Sequence, residues 1–392
     1  MTHSAKFRNK DLSSWLLMIL SITLGAGFAF GVPTVFKTGT TIKKPGAMPG
    51  YVIVNLPDGN SYAIDVSGKF ARTWTSPVVG STLGYTRPLP TGNLLALLVQ
   101  TGVNQAAEFT QGGTVVWQYI ETGDRTFHHD ITRMPNGNTL IVCSRQVTYS
   151  GISSKVLTDD CLLEVDKDGN TVFTWQTADH FAEFGFSDVA KTLIANNAGD
   201  WAHMNSAEVI PENNYHDPRF RKGNFIISYR YLNMLIIVDP TTGSIVWQNS
   251  NVTIGQHDAT MIKGGLSGQG NILVFDNGMS NVINNPGPVS GRLNSRVLEL
   301  NPLDGSIVKS YDESQSGHPI WWFYGPFVGS AQRLSNGNTF IDEGPDGRLF
   351  EVTSTGDIVW EWMNGIIGQG TQGPTNLIYR AEKVPLEWLL PQ

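Results

Sequence analysis

Beyond residue 50, apolar and polar residues alternate with a period of two, and glycine turns break the alternation at recurring places. One strand pair occurs six times: YAIDVSGKFARTW (62–74), AEFTQGGTVVWQY (107–119), LLEVDKDGNTVFTW (162–175), LIIVDPTTGSIVWQ (235–248), VLELNPLDGSIVKSY (297–311) and LFEVTSTGDIVWEW (349–362). Each is a strand, a turn at Gly68, Gly113, Gly169, Gly243, Gly305 or Gly356, and a second strand that usually ends in an aromatic. Upstream of five copies lies another pair around a PNGN-type turn: RPLPTGNLLALL, ITRMPNGNTLIV, RKGNFIISY, GQGNILVF and QRLSNGNTFID. Gly and Asn suit such turns because both tolerate positive φ. The repeat predicts an all-β fold, a six-bladed β-propeller whose blades each begin with the innermost strand. The first copy, 51–74, matches 339–362 strand for strand but has no inner strand before it, and the chain ends with a spare strand, NLIYRAEKV (376–384). That tail is expected to supply the missing strand and close the ring, which removes exposed sheet edges.

The amino end follows another pattern. Lys6, Arg8 and Lys10 precede an apolar run from Trp15 to Val32, close to the roughly 20 residues that cross a bilayer. The charges predict residues 1–12 in the cytoplasm, 13–32 as a transmembrane anchor or signal peptide, and 33–48 as a linker. Residues 49–392 then form one propeller domain outside the cytoplasm, periplasmic, at the cell surface or secreted, held to the membrane through the N-terminal segment. Composition agrees with the β reading: 42 Gly, 20 Pro and 11 Trp accompany only 16% charged residues. The net charge of −7 argues against a nucleic-acid partner. Cys143 and Cys161 lie in neighbouring strand-like runs, and antiparallel pairing about a turn near Gly151 sets them opposite each other. A disulfide and two buried thiols both fit that placement.

Three segments, FHHDIT (127–132), WAHMNS (201–206) and GQHDAT (255–260), carry candidate chemistry. Aligned on the Gly-Asn turn, His129 and His257 fall at corresponding positions, and His203 opens the inner strand of the blade between them. Gly84 and Gly329 occupy the same station in two other blades. A circular fold aims three such histidines into one mouth of the central channel. His128 is expected to support them, while His180, His216 and His318 are expected on loops or the surface. A metal site, a dock for a quinone cofactor and nucleophilic transfer through imidazole all suit the cluster. Strand alternation turns Asp130 and Asp258 away from the histidines, which weakens a carboxylate-assisted metal site. Arg230, at the far end of a second strand, is placed to reach an anion held between the histidines. Asn205 shares the face of His203 and offers an amide donor, and Arg296 is a further candidate for anion binding.

The segments HHDITRMPNGNTLIV, WAHMNSAEVI, GNFIISYRYLNMLIIVDPTTGSIVWQ, QHDATMI, ILVFDNG, SRVLELNP and GSAQRLSNGNTF resemble the arylsulfotransferases and run in that family's order. The resemblance implies a sulfuryl transfer from an aryl sulfate ester to a phenolic acceptor, independent of a nucleotide donor. It implies that His257 is transiently sulfated in a ping-pong mechanism, with no metal or organic cofactor required. It further implies that His203 and Asn205 hold sulfuryl oxygens and handle phenol protons, and that His129 and Arg230 complete the anion pocket. HPIWWFYGP (318–326) offers an aromatic wall through Trp321, Trp322 or Tyr324, unless those rings pack the blade. Two positions depart from the family. Tyr231 stands where a His usually follows the Arg, and no Arg closely follows DNG, which leaves Arg292 or Arg296 to stand in. A non-catalytic propeller that binds an anion or glycan, and a metal- or quinone-dependent oxidoreductase, are the alternatives.

Overall fold

Six antiparallel sheets, each built on four strands, form the blades of a β-propeller. The computed structural model describes residues 37–250, 252–279, 291–370 and 373–390. From the axis outward, blade 1 is Ala381–Val384, Tyr51–Asn55, Ser61–Asp65 and Phe70–Trp74. Blade 2 is Thr82–Pro88, Leu94–Gln100, Val103–Phe109 and Val115–Glu121, and blade 3 is Thr126–Arg133, Thr139–Thr148, Val156–Val165 and Thr171–Gln176. Blade 4 is Met204–Val209, Phe225–Tyr229, Met234–Val238 and Ile245–Ser250. Blade 5 is His257–Met261, Ile272–Asp276, Arg296–Leu300 and Ile307–Tyr311, and blade 6 is Ser330–Arg333, Thr339–Glu343, Arg348–Val352 and Ile358–Met363. The C-terminal strand pairs Tyr51 with Val384 and Val54 with Ala381, so the tail supplies the inner strand of blade 1. Gly39–Lys43, read from the sequence as part of a linker, adds a fifth strand to the outer edge of blade 6.

Alternation sends successive side chains to opposite faces of a blade, and both faces are covered by neighbours. The core therefore lies between blades. Leu162 and Leu140 of blade 3 pack with Phe225 and Ile236 of blade 4, and Ile237 of blade 4 packs with Val274 and Leu298 of blade 5. Tryptophans of the outer strands fasten the same seams. The indole N–H of Trp74 donates to Gln111 O, Trp117 to Asp166 O, Trp175 to Gly243 O, Trp247 to Pro302 O and Trp360 to Val66 O, each in the next blade. This explains why the sequence repeat so often ends in Trp. The six turn glycines expected from the repeat all adopt positive φ, from 72° to 93°. Trp175 is 2% exposed; Trp175→Phe, which removes the 2.8 Å bond to Gly243 O and leaves a void, should lower unfolding free energy by about 1–3 kcal/mol. An unchanged denaturant midpoint would contradict this role for the indole.

Cys143 and Cys161 face each other in blade 3 and form a disulfide, with Cα atoms 4.9 Å apart. The N-terminal expectation needs correction. No helix among the described residues is long and apolar enough to cross a membrane. The longest among them, Asp188–Asn197, has ten residues and a length of about 15 Å against the roughly 30 Å of a bilayer core. The single transmembrane anchor, the membrane as a partner and the anchored location derived from it are therefore not supported; segment 13–32 itself lies outside the described residues.

Candidate active site

The inner strands are bulged at matched stations, and the bulges place the chemistry. Register slips past Gly84 in blade 2, within His128–Asp130 in blade 3, at Asn205 in blade 4 and within Asp258–Ala259 in blade 5. His129 and His203 both sit at φ 59°, and Asp258 at φ 53°. These left-handed conformations are uncommon for non-glycine residues and re-aim side chains where strict alternation would turn them away. The three segments singled out by sequence thus converge. The rings of His129 and His203 are 4.8 Å apart, nearly perpendicular. His257 lies close enough to both for their charges to bear on one another.

Hydrogen bonds fix each imidazole. His257 is 2% exposed, and its Nδ1 lies 2.7 Å from Asn277 Oδ1. The Asn277 amide nitrogen donates to Gly325 O and Val328 O, both at 2.7 Å. Its oxygen therefore faces the imidazole and has to accept from Nδ1–H. That leaves the lone pair of His257 on Nε2, where the Val328 N–H donates weakly at 3.3 Å. Burial pushes the His257 imidazole well below its usual range, and Arg230 reinforces the effect. Burial does the same to His129, helped by His128, His203 and His257. Both are neutral at neutral pH. His203 Nδ1 lies 2.5 Å from Asp200 Oδ2, and its ring stacks on Tyr231 at 4.5 Å. Tyr231, the departure noted above, thus backs a histidine in place of being one. His129 Nδ1 meets His128 Nδ1 at 2.7 Å, and His128 Nε2 faces Asp160 Oδ1 at 3.3 Å.

Arg230 lies beside this group. Its guanidinium rests over the Tyr231 ring at 5.3 Å, and its Nε is buried without a hydrogen-bond partner. No carboxylate lies within ion-pair distance of it among the described residues. Burial holds its guanidinium below the usual arginine range, but it remains a cation. Asn205 is fully buried and donates through Nδ2 to Gln256 O at 2.7 Å, so its amide grips the backbone beside His257. Arg296 does not stand free: its Nε meets Asp276 Oδ2 at 2.7 Å and its Nη2 donates to Val252 O. Arg292 pairs with the same Asp276 at 2.8 Å. Trp321 and Trp322 are exposed and Tyr324 is half-buried, four residues before Val328.

No pattern along the chain pointed to the residue at the hub. Arg380, 3% exposed, extends from the segment that leads into the closing strand. It meets Asp130 at 2.8 Å and Asp258 at 3.5 Å and donates to Asn205 O at 3.3 Å, binding blades 3, 4 and 5 together. Asp130 and Asp258, expected to turn away from the histidines, both meet this one cation. Arg380 also lines a cavity of 260 Å³ with Arg87, Glu208, Asp258, Arg333 and Glu382; none of the three histidines lines it.

Comparisons place these features among known proteins. The sequence profile of a family described as Arylsulfotransferase (ASST) matches residues 123–365. No curated protein matches the chain. A crystal structure of a protein of unknown function from Bacteroides caccae shares the fold, with a TM-score of 0.55 and 14% identity, over 86% of this chain and 99% of that one. A virginiamycin B lyase from Staphylococcus aureus matches more loosely, with a TM-score of 0.42 and 12% identity, over 86% of this chain and 91% of that one.

Proposed function

The chain belongs to the arylsulfotransferase family, and from that premise we propose that it moves a sulfuryl group from an aryl sulfate ester to a phenolic acceptor through a covalent intermediate on His257. One observation carries the reading: the hydrogen bonds of Asn277 lock the His257 proton on Nδ1 and leave Nε2 as a buried, unprotonated nucleophile. In the first half-reaction the Nε2 lone pair attacks sulfur, the bond from sulfur to the aryl oxygen breaks, and the departing phenolate takes one proton from the site. In the second, the acceptor oxygen attacks the same sulfur, the sulfur–nitrogen bond breaks, and the acceptor proton returns to the site. A sulfuryl group in transit carries charge on its oxygens, so positioning and fixed charge do most of the work.

Arg230 supplies that charge, since no carboxylate among the described residues lies within ion-pair distance of it; Asp200 acts on it only from further away. His203, held by Asp200 and Tyr231, faces the sulfuryl oxygens with it. The Val328 N–H, already aimed at Nε2, is placed to donate to a sulfuryl oxygen once sulfur is bonded there. Asn205 acts on Gln256, fixing the backbone that carries His257. Tyr324 is the best placed of the three candidate aromatics to flank a phenol, being half-buried and near Val328; Trp321 and Trp322 stand at the rim. Arg296 acts on Asp276, outside substrate contact.

The test is a screen of aryl sulfate donors against phenolic acceptors, with initial rates taken at several concentrations of each. Parallel double-reciprocal lines are expected for a ping-pong reaction; intersecting lines, or no phenol released from any donor, would overturn it. Arg230→Lys keeps the charge but loses the planar fork, and should lower kcat/KM by about 10- to 100-fold. Equal activity in that variant would remove Arg230 from the anion pocket.

A further inference from the structure

We infer that His129, His128 and Asp160 form a proton relay that stores the one proton exchanged between the two half-reactions. The inference rests on the transfer reading above and names the group that serves it. A contact of 2.7 Å between two Nδ1 atoms has room for one hydrogen only, so one nitrogen donates and the other accepts. The other nitrogen of His128 lies 3.3 Å from the buried carboxylate of Asp160, an ion-pair distance at which a proton on that nitrogen is favoured. The remaining Asp160 oxygen accepts from Met204 N at 2.7 Å, which anchors the carboxylate to the strand after His203. Two arrangements satisfy these contacts. In the empty relay, His129 Nδ1–H donates to His128 Nδ1, and His129 Nε2 is a bare base. In the loaded relay, His128 is an imidazolium held by Asp160, its Nδ1–H donates to His129, and His129 Nε2–H is an acid.

The balance closes over a cycle. The departing phenolate takes the proton from His129 Nε2, and the His128 Nδ1 proton crosses to His129 Nδ1, which empties the relay. The acceptor phenol later gives its proton to His129 Nε2, and the Nδ1 proton crosses back, which loads it. His129 needs the help. It faces His203, His257, Tyr379 and Arg380, and burial among these groups disfavours a positive charge on it. His128 keeps the stored charge one ring further out, against a carboxylate. Among the described residues His203 has no second imidazole behind it; its Nδ1 meets Asp200 directly. His129 is thus the proton carrier at the substrate, while His128 and Asp160 are positioning residues.

Two measurements on the full chain test the relay. Imidazole ¹⁵N resonances of the wild type, without substrate, should show one hydrogen shared between the Nδ1 atoms of His128 and His129; finding both protonated, or both bare, overturns the relay whatever the activity. His128→Gln can still accept from His129 but cannot carry the stored proton. It should slow discharge of sulfated enzyme to weakly acidic phenols by about 10- to 100-fold, with the deficit shrinking for nitrophenols. Sulfation by an aryl sulfate with a nitrophenol leaving group should change little, and the pH profile of the discharge step should lose a limb. Equal slowing with all phenols and an unchanged pH profile would mean a merely structural role and overturn the relay. A wild type that no aryl sulfate modifies defeats the transfer reading, and with it any service the relay performs.

Discussion

His257→Ala should lose turnover of aryl sulfates by at least about 10⁴-fold, the scale seen when a covalent nucleophile is removed from an otherwise intact site. The fold should survive the change, because the imidazole contributes only two hydrogen bonds, one to Asn277 beside its own strand and a weak one to the segment entering blade 6. Asn277 gives the companion experiment. Asn277→Asp puts an acceptor-only group at Nδ1 but loses the donors that hold Gly325 O and Val328 O, so it should damage the site less than loss of the ring. A His257→Ala protein with wild-type rates would mean that sulfur never bonds to this nitrogen. Rates are to be compared with the same donor and acceptor for each variant, beside a melting curve showing that both proteins are folded.

Arg380→Met should destabilise the fold by about 3–5 kcal/mol, because it leaves Asp130 and Asp258 buried without their common counter-charge. The loss should be larger near pH 8 than near pH 5. Burial pushes the Asp258 carboxyl up to about 6, with Arg380 opposing the rise, whereas an unfolded aspartate titrates at about 4. Between those values the folded protein holds more protons than the unfolded one, so stability falls as pH rises through that window. Without Arg380 the folded value climbs further and the fall deepens. Denaturant titrations of wild type and variant at the two pH values measure this directly; an equal difference at both would place the negative charge of Asp258 elsewhere.

The propeller was legible because its determinants are local. Gly68, Gly113, Gly169, Gly243, Gly305 and Gly356 mark hairpins, alternation marks the strands, and the spare C-terminal strand matches a vacancy at the start of the chain. The shared station of His129, His203 and His257 was also legible, since each lies at a fixed distance from a Gly-Asn turn or opens an inner strand. Other features were not. Asp130 and Asp258 do turn away from the histidines, but their shared partner Arg380 comes from a distant segment and left no trace in the alternation. The contact of His128 with Asp160 spans strands that are not adjacent, and only three-dimensional packing reveals it. The Val328 N–H is a backbone group with no side-chain signature. Arg380 lies in a segment read as strand, although the strand begins one residue later, at Ala381. The apolar run near the amino end was read from its length and the charges before it, and nothing among the described residues supports the anchor inferred from it.

The decisive measurement is to mix the protein with an aryl sulfate in the absence of acceptor, quench in alkali, and locate the modification by peptide mass spectrometry. One sulfuryl group on His257, acid-labile and discharged by added phenol, is the expected result. Release of phenol with no sulfated histidine, or with the group on another residue, would contradict transfer through His257.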